Sequence, residues 1–249
     1  MNAPLVSLHG VTKVFHMGKV LAPALRGIDL EIEEGEFLAL VGPSGSGKTT
    51  LLNLVGALDV STAGLVLVLG KDLSKLSRTD RAELRLRSLG FVFQAYNLVP
   101  VLTAIENVEF VLELQGQPDR RRRAKQVLDE VGLGEFANRR PNELSGGQQQ
   151  RVAVARAIAA HPRLVLADEP TANLDGENAE LLMHLLRKLR DDHRMTFVFS
   201  THDPRVVEHA VRVVTLVDGK VFRDQPKAPE APHEILPGIG KQREGEVYR

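Results

Sequence analysis

The chain has 249 residues, is 43% hydrophobic and 26% charged, and balances 32 Lys+Arg against 32 Asp+Glu. That length supports a full core, and the balance gives no global reason to expect nucleic acid or an acidic membrane as partner. With no cysteine, disulfides and cysteine-based zinc sites are excluded, which fits a reducing cytoplasm.

Residues 1–10 lack the basic segment and apolar run of a signal peptide. No stretch approaches the ~18 apolar residues that a membrane span needs, so a soluble chain that reaches any membrane through a partner is expected. In chain order, Leu5, Leu8 and Val11, then Leu30 and Ile32, alternate as in half-buried antiparallel strands. Phe37–Val41 reads as a buried strand that runs into a glycine-rich loop, followed by a helix carrying Leu51, Leu52, Leu54 and Val55. Leu65–Leu69 has strand length. From Tyr96 to Ala160 the character is helical. Asp119 is expected to cap a helix with Ala124, Val127, Leu128 and Val131 on one face and Gly132 as its stop. The run Arg120–Arg123 within it reads as a solvated face. Leu164–Ala167 and Phe197–Ser200 are further buried strands, and Val213–Val217, Asp218-Gly219 and Val221-Phe222 form a hairpin with an Asp-Gly turn. From Gln225 onward, prolines, glycines and mixed charge predict a mobile tail. Strands alternating with helices predict an α/β fold with a largely parallel sheet.

Gly42-Pro43-Ser44-Gly45-Ser46-Gly47-Lys48-Thr49 satisfies the phosphate-loop pattern in the required strand–loop–helix setting. Glycines let successive N–H groups wrap a phosphate chain at a helix N-terminus. The nucleotide-binding candidates are Gly42, Ser44, Gly45, Ser46, Gly47, Lys48, Thr49 and Thr50. Lys48 would place its charge on the β/γ-phosphates, and the Thr49 hydroxyl would ligate Mg²⁺. Asp168 and Glu169 close the strand Leu164–Ala167 at the carboxyl edge of the sheet, where ligands bind in open α/β folds. Asp168 is assigned to the Mg²⁺ shell and Glu169 to polarising the attacking water.

Leu144-Ser145-Gly146-Gly147-Gln148, followed by Gln149-Gln150-Arg151 and a helix to Ala160, resembles the signature motif of ABC ATPases. The resemblance covers residues 4–223. It implies that Ser145, Gly146, Gly147 and Gln148 cover the γ-phosphate of ATP held by a second copy of the chain. It further implies that Gln94 contacts Mg²⁺ and water, that Ala172–Asp175 is a loop crossing the dimer interface with Asp175 near nucleotide, and that His202 touches the γ-phosphate. Phe15 falls where the family has an aromatic on adenine, more often tyrosine. Catalysis is thereby assigned to Glu169, His202, Gln94 and Lys48, and metal binding to Thr49, Gln94 and Asp168.

The implied fold is a P-loop NTPase of RecA-like core with a mostly parallel sheet, an N-terminal antiparallel β-subdomain and an inserted α-helical subdomain. Core and β-subdomain would take residues 4–93 and 161–223, the helices 94–160, and 224–249 a flexible tail. Gly56–Asp59, Leu89–Gln94, Asn97–Pro100, Thr103–Val108 and the run Ser145–Arg151 narrow the likeness to the macrolide-export and lipoprotein-release branch (MacB/LolD-like). That branch implies ATP and Mg²⁺, a head-to-tail homodimer, and a separate FtsX-like permease of the MacB or LolC–LolE kind. Through the permease, a periplasmic adaptor or outer-membrane channel could join. Location would be the cytoplasmic face of the inner membrane, with no nucleic acid. An exposed groove lined partly by residues 91–110, to which the apolar Tyr96, Leu98, Val99 and Val101 beside Gln94 point, would accept a short permease helix. The other readings are an FtsE-like regulator of cell-wall hydrolysis, and a soluble ABC ATPase acting on DNA or ribosomes; a second cassette, a long coiled coil and cysteines, the usual marks of the latter, are absent.

Overall fold

The described residues of this computed structural model, 3–18 and 20–226, form two sheets. Strands β1 (Val6–Met17) and β2 (Val20–Ile32) pair antiparallel, with Val6 opposite Ile32 and Leu8 opposite Leu30. Leu8 and Val11 are three residues apart, which a strict period of two would put on opposite faces. A register shift between them, with Gly10 at φ 55°, absorbs the extra residue and leaves both buried. On its other side β1 pairs with β4 (Ala63–Val68), and β4 with the short β5 (Lys71–Asp72), giving the order β2-β1-β4-β5.

Between these, β3 (Phe37–Val41) belongs to the second sheet with β6 (Leu89–Phe93), β7 (Leu164–Asp168), β8 (Thr196–Ser200), β9 (Arg212–Val217) and β10 (Lys220–Pro226). The order is β10-β9-β3-β8-β7-β6, parallel throughout except for β10 at the edge. All five residues of β8 are buried, as expected for a strand covered on both faces. Alternate residues feed two cores. Phe37, Val165, Ala167, Phe197 and Phe199 pack with the helices, whereas Leu38, Leu40, Leu164, Leu166 and Val198 pack toward the antiparallel sheet.

The helices are α1 (Lys48–Val55), α2 (Arg78–Ser88), α3 (Ala104–Leu114), α4 (Arg120–Glu130), α5 (Gly146–Ile158), α6 (Gly176–His193) and α7 (Pro204–His209). Helix α2 lies outside the stretch expected to be helical. Its strongly polar sequence buries Leu84 alone, so no apolar stripe announces it; its capping box, Ser77 with Asp80, is the signal that could have. Asp119 does sit at the N-cap of α4 but makes no capping bond, because its carboxylate accepts from Arg122 at 2.6 Å instead. Gly132 stops that helix at φ 72°. The β9–β10 turn has Asp218 at φ 48° and Gly219 at φ 76°, both positive as a tight Asp-Gly hairpin requires. Asp224, Gln225 and Pro226 continue β10 rather than beginning a tail; the remainder of the expected tail, 227–249, lies outside the described residues.

Candidate nucleotide site

The loop between β3 and α1 lies at the carboxyl end of a central strand, and its glycines are sterically required. A Cβ on Gly42 would stand 2.1 Å from the Leu216 carbonyl oxygen, and one on Gly47 2.8 Å from that of Ala24; both residues have positive φ. The loop borders a cleft of about 580 Å³ that it shares with Gln94, Glu169, Ser200 and His202. Lys48 is buried, its Nζ donating to the carbonyls of Gly42 at 2.8 Å and Pro43 at 3.2 Å. The Ser46 hydroxyl within the same loop is buried with no hydrogen-bond partner, an unmet valence. Thr49 Oγ1 donates to Asp168 Oδ1 at 3.3 Å, which joins the loop to the end of β7.

Glu169 follows β7 in a left-handed conformation, φ 47°. Its backbone N–H donates to the Ser200 carbonyl at 2.8 Å, which turns the side chain toward β8. There Oε1 lies 2.7 Å from His202 Nδ1, while Oε2 accepts from the Thr201 hydroxyl at 3.3 Å and the His202 N–H at 3.4 Å. The next residue, Asp203, caps α7 and accepts from Thr171 Oγ1 at 2.6 Å and from Arg205. Burial pushes the Asp203 carboxyl upward, but the hydrogen bonds from Arg205 and Thr171 outweigh it and hold the group below the usual aspartate value. The Gln94 carbonyl accepts from Asn173 Nδ2 at 2.8 Å.

Ser145 caps α5 reciprocally with Gln148: Gln148 N–H donates to Ser145 Oγ at 3.3 Å, and Ser145 N–H to Gln148 Oε1 at 2.9 Å. Gly146 and Gly147 are tightly overlooked. A Cβ on Gly146 would stand 3.1 Å from the Tyr96 hydroxyl, and one on Gly147 2.7 Å from Asn178 Oδ1. Asn178 also donates from its backbone and side chain to Asp175, bonds that hold that carboxyl below its usual range. Asp175 and the signature segment therefore meet each other through Asn178.

The structure thus gathers Gly42–Thr50, Gln94, Glu169 and His202 around one cleft, with Asp168 attached through Thr49. It does not bring Ser145–Gln148, Asp175 or Phe15 to the lining. Phe15 sits opposite Ala22 in the β1–β2 pair, 41% exposed, with Lys13 Nζ 5.0 Å from its ring centroid. Ala24, two residues beyond Ala22 on β2, does line the cleft, and neither it nor Ser200 is suggested by the sequence pattern. Thr171 is likewise not suggested by the sequence pattern, whereas Asn173 lies within the expected interface loop and Thr201 directly follows the fully buried β8.

A second cleft, of about 440 Å³, opens beside β6 and is lined by Leu86, Phe91, Phe93, Asn97, Val111 and Arg156 among others. The expected groove residues Tyr96, Leu98, Val99 and Val101 do not line it. Leu98 packs on the helical core, Tyr96 faces Gly146, and Val101 is 73% exposed.

A family model described as ABC transporter matches residues 25–172. A lipoprotein-releasing system ATP-binding protein LolD of Anaeromyxobacter dehalogenans is 49% identical over 90% of this chain and 95% of its own length. A macrolide export ATP-binding/permease protein MacB of Brucella melitensis is 45% identical over 96% of this chain but 38% of its own length. Among solved structures, the dimeric post-hydrolysis state of the ATP-binding cassette MJ0796 of Methanocaldococcus jannaschii, bound to ADP and Pi, matches at a TM-score of 0.84. It is 43% identical and covers 90% of this chain and all of its own. By cleft, signature segment and likeness together, the chain belongs to the ABC transporter family, as an ATP-hydrolysing cassette of the LolD- and MacB-like kind.

Proposed function

We propose that two copies close head to tail around two Mg²⁺·ATP and that the closure powers an FtsX-like permease, in lipoprotein release or export, from the cytoplasmic face of the inner membrane. The observation that carries this reading is the separation within one chain of the phosphate loop from Ser145–Gln148. The loop lines the cleft, whereas the signature helix N-terminus lies off it. A two-fold axis would let each copy supply the half that the other lacks. The dimers formed by the MJ0796 cassette support the same arrangement.

In this reading the loop amides and Lys48 hold the β/γ-phosphates. Lys48 exchanges its carbonyl partners, Gly42 and Pro43, for phosphate oxygens. Glu169 orients the attacking water and accepts its proton, and His202 keeps the Glu169 carboxylate aimed while its exposed ring edge meets the γ-phosphate. The Thr49 hydroxyl and Asp168 carboxylate, with the Gln94 side-chain oxygen, are the hard oxygen donors that suit Mg²⁺. When bound, the ion offsets charge on the phosphate oxygens. Ser145 and the Gly146 and Gly147 amides of the second copy would cap the same γ-phosphate. Asp175 would lie at the interface beside them, and Phe15 would present its exposed face to adenine. Loss of the γ-phosphate removes the group both copies touch, and the pair opens.

The cleft beside β6 is the surface assigned to the permease. It is apolar on Phe91, Phe93 and Val111, polar at Asn97 and Arg156, and begins next to Gln94. Among the described residues no helix is long and apolar enough to cross a membrane, so this surface would serve a membrane-embedded partner. Co-purification with an FtsX-like permease tests the assignment: Phe91→Ser together with Val111→Ser should abolish capture while leaving ATP-driven dimerisation intact. Unchanged capture would move the docking surface elsewhere.

A further inference from the structure

We propose that Glu180, His184 and His209 form a binding site for a divalent transition metal, of the zinc type, that ties α7 to α6. One donor atom from each lies within 4.8 Å of the other two. Glu180 and His184 are four residues apart on α6, so one helical turn stacks them on a single face. His209 closes the set from the last position of α7, the helix packed against α6. Its Nε2 is 3.0 Å from Glu180 Oε2, and its ring meets that of His184 edge-on at 5.0 Å.

The second observation is an unmet valence. The His209 side chain is 10% exposed, and its Nδ1 is buried without a hydrogen-bond partner. With Nε2 beside the Glu180 carboxylate, a metal shared with Glu180 would bind through Nε2, and the unpartnered Nδ1 marks an imidazole whose hydrogen bonding the fold leaves incomplete. Two imidazoles and a carboxylate match the donor set of open tetrahedral zinc centres, with a fourth position left for water. Mg²⁺, which demands oxygen ligands, is poorly served here. Donors around one zinc stand about 3.3–3.5 Å apart, so the set, now within 4.8 Å, would draw together on binding.

The position gives the site a consequence. Helix α7 starts at Asp203, directly after His202, and α6 starts at Asp175. A metal at this point would tie the helix that follows His202 to the helix that follows the Ala172–Asp175 loop. The donor set is independent of the nucleotide-site assignments, so it can be tested without them.

The experiment uses the full chain, stripped with EDTA and free of nucleotide, titrated with Zn²⁺ alone and with Co²⁺ as a spectroscopic probe. One Zn²⁺ per chain should bind with micromolar affinity, Co²⁺ should show tetrahedral d–d absorption, and thermal melting should rise by several degrees with Zn²⁺ but not Mg²⁺. His184→Ala, on an exposed ring, and Glu180→Gln should each weaken Zn²⁺ roughly tenfold or more. Absence of binding, or an affinity unmoved by either substitution, overturns the site.

Discussion

The guanidinium of Arg156 donates to the carbonyl of Asn97, a non-glycine residue held at φ 51°. Tyr96, immediately before it, is at φ 58° and receives the second guanidinium bond at 2.9 Å. Two consecutive left-handed residues are costly, and α5 holds them in place with one half-buried cation. Removal of that cation leaves strained carbonyls without partners. Arg156→Met should therefore lower the unfolding free energy by about 2–4 kcal/mol, read by urea denaturation. Adding Asn97→Gly, which accepts positive φ freely, should restore roughly 1 kcal/mol. If the glycine gives no recovery, strain is not what Arg156 offsets.

Glu169→Gln keeps the shape of the side chain but removes the charge that, in the proposed mechanism, accepts a proton. ATP turnover should fall by about 10²–10⁴-fold, while Mg²⁺·ATP binding survives. Light scattering on a sizing column should then find a nucleotide-trapped dimer. A monomer at saturating Mg²⁺·ATP would count against the head-to-tail reading.

Lys48→Ala acts one step earlier. With no ammonium to leave the Gly42 and Pro43 carbonyls for phosphate oxygens, nucleotide affinity should drop roughly 10–100-fold. Titration of a fluorescent ATP analogue reads this directly, and an affinity within twofold of the parent would remove Lys48 from phosphate binding.

Asp203 makes stability depend on acid. Its folded value lies below the unfolded 3.8, so its contribution is fully present above that value and is lost as pH falls through the folded one. Asp203→Asn should flatten the decline in melting temperature below about pH 4. The same slope in both proteins would mean that other carboxylates dominate.

The phosphate loop, the acidic end of β7 and the hairpin at Asp218-Gly219 were legible because each is local: a few adjacent residues dictate backbone conformation and chemistry together. Buried parallel strands were legible for the same reason, as unbroken apolar runs. What stayed hidden depends on sheet order. Asn173 reaches the Gln94 carbonyl, and Thr171 reaches Asp203, because β6, β7 and β8 are neighbours. Ala24 enters the cleft because β2 passes over Gly47. Of residues 91–110, the cleft beside β6 takes Phe91, Phe93 and Asn97 but not Tyr96, Leu98, Val99 or Val101. The two left-handed residues 96 and 97 turn the chain after β6, and Tyr96 faces Gly146 while Asn97 stays at the cleft. Amphipathic periodicity cannot carry through such a reversal.

The left-handed backbone at Glu169 has a further consequence. Asparagine and glycine tolerate that conformation far better than glutamate, so the fold carries at its cleft a residue that its own backbone disfavours. Under the proposed mechanism, heat resistance and turnover therefore pull this position in opposite directions. A library selected for melting temperature without an activity screen should accumulate asparagine or glycine at 169, and its sturdiest members should be inert.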